Sequence, residues 1–132
     1  MVQALTADVA WPKETIILAL SAVYPSNFWG GTLTINQYFD RPTFAPSVVH
    51  ELIHLRTELL LGEDWFVKRH VTADKRAIFM ELSAEVVLSR STDELAQAAR
   101  GTYPFFADYQ RQLKQASGVP DFVEMCDILA QF

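Results

Sequence analysis

The chain has 132 residues, half of them apolar and 12% aromatic, with a formal charge of −5. That length allows one domain around a single core, and that composition excludes a disordered chain. The negative balance argues against a nucleic-acid partner, because no basic stripe exists to displace counterions; Lys68-Arg69-His70 is too short and reads as a solvated turn.

In chain order, Trp11-Pro12-Lys13-Glu14 opens a helix expected over residues 11–23 and stopped by Pro25. The longest apolar run, residues 16–24, holds nine residues including Ser21 and is too short to span a bilayer. No basic region, apolar stretch and small-residue cleavage site mark a secretory leader, so a cytoplasmic protein without a membrane partner is expected. Residues 26–31 read as loop, with Phe28-Trp29-Gly30-Gly31 either a pocket mouth or a buried turn. Residues 32–39 are β-branched and aromatic with alternating apolar positions, the clearest strand, and Asp40-Arg41-Pro42 breaks it. A helix over residues 46–61 starts at Pro46 and stops before Gly62; residues 65–71 could be a short second strand. Thr72 is a plausible N-cap for a third helix over 72–89. Ser91 and Glu94 form a capping box for a fourth, ending at Gly101. Helices over 104–116 and 120–129 complete the set, and Cys126 is most simply a small apolar side chain in the last. The expected class is α+β: a single domain over residues 1–132, mostly helical, with a small sheet.

The chemistry concentrates in His50-Glu51-Leu52-Ile53-His54, the zinc-hydrolase pattern H-E-x-x-H. Two histidines four apart project from one helical face, where both imidazoles reach one metal ion. Glu51 flanks the same face, close enough to take a proton from a water held there. The flanking Val48, Val49, Leu52, Ile53, Leu55, Leu59 and Leu60 make the pattern that of a buried helix rather than a chance match in a loop.

A catalytic zinc normally has three protein ligands and an open position. A histidine six residues beyond His54 would give a three-histidine site, but Leu60 stands there; His70 has no support from spacing. Glu81 and Glu85 are better candidates, one turn apart within the apolar run Ala77, Ile78, Phe79, Met80, Leu82, Ala84, Val86 and Val87. Buried carboxylates need a cation, a hydrogen bond or a metal. The alternative is a narrow solvent stripe with Lys75 and Ser89. Residue type and spacing leave both acids open.

Residues 32–87 resemble the gluzincin metallopeptidases, the thermolysin-like group, through His50-Glu51-x-x-His54 and Glu81-Leu82-Ser83-Ala84-Glu85. The short chain looks like a minimal, single-domain gluzincin, a zincin-like domain. The resemblance implies Glu81 as third ligand and Glu85 as acceptor for the second nitrogen of a ligand histidine, with the reverse assignment still open. It also implies an edge strand over residues 32–38, with Leu33, Ile35 and Gln37, that holds extended substrate by strand addition. Three features depart from the family: Met80 replaces a frequent asparagine, Arg56 stands where an apolar residue is preferred, and no tyrosine lies between the motif and Glu81. Tyr103 is a conceivable oxyanion donor from further along. Arg56 reads as a packed stem with a paired guanidinium, or as a holder of a substrate carboxylate. Phe105, Phe106 and Tyr109 read as core.

The expected function is therefore zinc-dependent peptide-bond hydrolysis, with one catalytic Zn2+ on His50, His54 and Glu81, Glu51 as general base, and a peptide or protein as substrate. The alternative is a catalytically weak or inactive zincin-like domain that binds proteins or peptides. A zinc amidase of the deformylase kind ranks below both, because its upstream cysteine motif is absent. A metal-free helical packing domain is the plainest reading of all.

Overall fold

The computed structural model describes residues 17–21, 27–29, 32–36 and 41–132, with side chains from Phe44 onward. Helix α1 is Arg41–Leu61, α2 Glu63–Lys68, α3 Ala73–Ser89 and α4 Glu94–Ala98. A 3-10 turn, Pro104–Tyr109, runs into α5, Gln110–Ser117, and α6 is Phe122–Leu129.

The α+β expectation is overturned. Over the part with side-chain detail, 76% of residues are helical and none lies in a strand. The physical reason is that helical stripes here bury one another without a sheet layer. Val49 and Ile53 of α1, Phe79, Leu82 and Val86 of α3, and Met125 and Leu129 of α6 share one core cluster. Upstream, the backbone pairs in three short stretches, β1 (Ile17–Ser21), β2 (Asn27–Trp29) and β3 (Thr32–Asn36), in the order β1-β3-β2. Their side chains lie outside the described residues, and the described core is drawn from the helices, with Val71 and Ala99 from the turns beside them.

Several boundaries differ from expectation. Ile17–Ser21 is extended, not helical; a five-residue apolar stretch does not distinguish the two by periodicity. The rest of the expected first helix, with Trp11, lies outside the described residues. Helix α1 begins at Arg41 rather than Pro46, which sits inside it and forgoes one backbone bond. Residues 65–71 are not a strand: Trp65 to Lys68 belong to α2. The cap of α4 is Asp93, whose carboxylate accepts from the N–H groups of Leu95 and Ala96, while the Ser91 hydroxyl accepts from Asp93 N–H. Helix α4 then stops at Ala98, short of Gly101.

Gly62 ends α1 in the left-handed region, φ 75°, with its N–H on the Glu58 carbonyl at 2.9 Å. The turn lets α2 fold back, so that Trp65 and Phe66 meet Phe79 of α3 at ring separations of 5.4 and 5.6 Å. Arg76 lies 4.0 Å over the Phe66 ring and pairs with Glu58 and Glu63, joining α1, α2 and α3 at the surface. Such pairs are worth about 0–1 kcal/mol each. Burial of Phe66, Phe79 and Leu82 contributes more, about 1.5–3 kcal/mol per side chain. Among the described residues, no helix is long and apolar enough to cross a membrane.

Candidate metal centre

One turn of α1 separates His50 from His54, and their Nε2 atoms lie 3.0 Å apart. Helix α3 packs against α1 and brings Glu81 to the same point. Its Oε2 lies 3.0 Å from His50 Nε2 and 3.7 Å from His54 Nε2. Two imidazoles and a carboxylate are the donor set that zinc takes. A tetrahedral ion with ligands at about 2.0–2.1 Å holds any two of them about 3.3–3.4 Å apart. The three observed separations bracket that spacing, so these residues fit such an ion. Among the described residues, this trio is the group that could hold a metal.

The outer contacts decide which histidine nitrogen faces the centre. His50 Nδ1 lies 2.9 Å from the Ala99 carbonyl oxygen, just past α4. A carbonyl only accepts, so Nδ1 carries a hydrogen and the Nε2 lone pair of neutral His50 points at Glu81 and His54. The expected partner, Glu85, is elsewhere. Its Oε1 accepts from Arg100 Nε at 3.0 Å and from Arg100 Nη2. Glu85 is thus neither a ligand nor an outer contact to a histidine; the carbonyl of Ala99 takes the second role.

Glu51 is buried beside the pair. Burial pushes its carboxyl up to about 7, with His50 pulling it down and Glu81 pushing it up. Burial drives His54 down to about 4. Burial also opposes the charged form of His50, but its hydrogen bond to Glu81, the Glu81 charge and the Ala99 carbonyl together raise it. For Glu81 the order is similar: burial disfavours the carboxylate, yet His50, His54 and a hydrogen bond from Tyr103 hold it below its ordinary value.

Tyr103 therefore comes near the centre, close enough to Glu81 to favour its carboxylate. Its ring stacks on Phe105 at 5.4 Å and meets Phe106 edge-on at 5.3 Å. Tyr103, Phe106, Glu85 and Arg100 also line an open groove of about 700 Å³. Phe105, Phe106 and Tyr109 are only partly buried, packed against the core rather than in it.

Other expected site residues fall away. Thr32–Thr34 pair with β1 on one side and β2 on the other, so this part of the strand is central and has no edge to offer a substrate. Leu33 and Ile35 are described as backbone alone, and Gln37 lies outside the described residues. His70 is exposed in the turn after α2, at φ 55°, away from the metal group. Arg56 is 1% exposed and engaged inside the protein, which withdraws it from any substrate carboxylate. Ala99, Arg100 and Gly101 escape sequence reasoning. A backbone carbonyl has no residue signature, and the one hint is a cation, Arg100, at the end of a short helix.

No protein-family model, curated protein or solved structure matches the chain.

Proposed function

We propose that the protein is a zinc-dependent hydrolase of peptide bonds. The observation that carries this reading is the convergence of His50 Nε2, His54 Nε2 and Glu81 Oε2, three lone-pair donors from two helices, with Glu51 buried alongside. Atoms of this kind held so close call for a positive charge among them, supplied by a proton on His50 Nε2 when the site is empty and by a metal ion when it is filled. His50, His54 and Glu81 would hold the ion, leaving a fourth position for the reaction. When bound, zinc supplies Lewis acidity, polarising a carbonyl and easing deprotonation of water.

The chain's own residues supply the rest. Glu51 takes a proton from the attacking water as the new C–O bond forms, and returns it to the amine nitrogen as the C–N bond breaks. Its place on the helix next to the ligand His50 puts its carboxyl within reach of both transfers. Tyr103 stands at the edge of the centre, and on releasing Glu81 its hydroxyl could donate to the developing oxyanion. The groove lined by Tyr103 and Arg100 offers an extended peptide a surface next to the centre, although none of the three ligands lines it.

A second reading follows from the same tyrosine. Its hydroxyl supports the Glu81 carboxylate, which favours a peptide-binding domain that keeps the metal and lacks turnover. One experiment separates the two: zinc content, together with cleavage of casein by the wild type and Glu51→Gln. Hydrolysis predicts one zinc per chain in both proteins and turnover reduced about 10²–10⁴-fold in Glu51→Gln. Zinc without turnover in the wild type leaves the binding domain. Absence of zinc ends both.

A further inference from the structure

Residues 99–103 touch the centre at three points. The Ala99 carbonyl accepts from His50 of α1. Arg100 grips Glu85 of α3, one turn beyond Glu81. Tyr103 comes close enough to Glu81 to help hold its carboxyl below the ordinary value. Five consecutive residues thus connect with both ligand-bearing helices, and the first and last contacts fall directly on ligands.

The position that makes this possible is Gly101. A Cβ built there would stand 2.3 Å from Tyr103 Cε2, 2.9 Å from Cδ2 and 3.2 Å from Cζ. The Tyr103 ring lies over the space that any other residue would fill. The obstructing atoms belong to the outer part of a side chain, so a larger residue would swing the ring aside instead of breaking the backbone. The ring's hydroxyl would then leave Glu81.

We infer that residues 99–103 are an outer clasp that sets the orientation of His50 and Glu81 for a metal ion, and that Gly101 is the positioning residue that lets Tyr103 close it. The inference rests on the zinc reading above. Outer contacts to metal ligands are worth about 10–100-fold in affinity, because they hold each ligand atom in its bonding direction. Gly101 acts through Tyr103, and Tyr103 through Glu81; neither touches a substrate in this role.

The test is a double-mutant cycle on the full chain, read as zinc affinity by competition with a chromophoric chelator and as the Co2+ absorption spectrum. Gly101→Ala is expected to weaken zinc binding by about 10–100-fold. Its chelated form should melt within about 3 °C of the wild type, as for other changes outside a core. Tyr103→Phe, which loses only the hydroxyl, is expected to weaken binding in the same direction. In the double variant the Gly101 change should add less than about twofold, since the contact it disturbs is already gone. Independent, additive losses would overturn the link between the two residues. Unchanged zinc affinity in Tyr103→Phe would overturn the clasp, whatever Gly101→Ala does to folding. Those outcomes leave the zinc reading standing; a wild type that binds neither Zn2+ nor Co2+ overturns both.

Discussion

Glu85 sits one turn beyond Glu81 on α3, yet its carboxylate turns away from the histidines and accepts from Arg100 Nε at 3.0 Å. Two acids one turn apart on the same helix therefore have different work. Glu81 faces the two histidines, whereas Glu85 is taken up by Arg100.

The contrast is measurable. Glu81→Gln is expected to weaken zinc binding more than about a hundredfold, beyond the range of an outer contact. Glu85→Gln keeps an oxygen for Arg100 and should lose less than about tenfold. Isothermal titration with zinc on both variants decides it. Equal losses would contradict the division of labour.

Loading the proposed zinc site should also stabilise the fold, because the trio is assembled only when the helices are packed. At a free concentration of 100 times Kd, the gain is about 2.7 kcal/mol. For a chain of this size that is a rise in Tm of roughly 10 °C, reversed by chelator. Calorimetry with and without metal gives the answer, and superimposable melts would count against the site.

The aromatic contact behind the centre can be tested separately. Phe79 is fully buried, packed against Trp65 and Phe66, and lies two residues before Glu81. Phe79→Ala should lower stability by about 3–5 kcal/mol through lost transfer energy and a cavity. Urea unfolding of the chelated protein would show a lower midpoint with little change in slope. A loss under about 1 kcal/mol would mean that this contact is not central.

Cys126 is buried in α6, and burial pushes its thiol well above the ordinary value, with Asp127 adding to the effect. A raised thiol pKa means less thiolate at every pH below it, so raising the pH from 7 to 9 should not accelerate alkylation as it does for a free thiol. Iodoacetamide labelling of the native protein should stay slow across that range and become complete in denaturant. Rapid native labelling at pH 8.5 would contradict the burial.

The His50, Glu51 and His54 cluster was legible because helical geometry converts fixed offsets into a shared face, and Glu81 because an acid in an apolar helix needs a partner. What the pattern could not carry was the arrangement between elements. Choosing Glu81 over Glu85 from residues alone requires knowing that α4 ends beside α3 and presents Arg100 there. The role of Ala99 belongs to its carbonyl, which every residue has. Similarly, Ile17–Ser21 satisfies a buried strand and a buried helix alike, and only its pairing with Thr32–Asn36 distinguishes them. The helical stripes on α1 and α3 were visible, but that they close a core on one another without a sheet depends on packing distances no local pattern encodes.

Helix α4 is five residues long, far below the roughly 12–15 at which a helix becomes even marginally stable alone in water. It persists through the Asp93 cap, the burial of Ala96, and the grip of the residues that follow it. Its amide hydrogens are consequently a gauge placed beside the centre: they should exchange with solvent at a rate set by how often α4 opens, and an ion that ties His50 to Glu81 should slow that exchange more than it slows exchange in α6. The shortest helix among the described residues thereby becomes a witness to whether the histidines hold an ion.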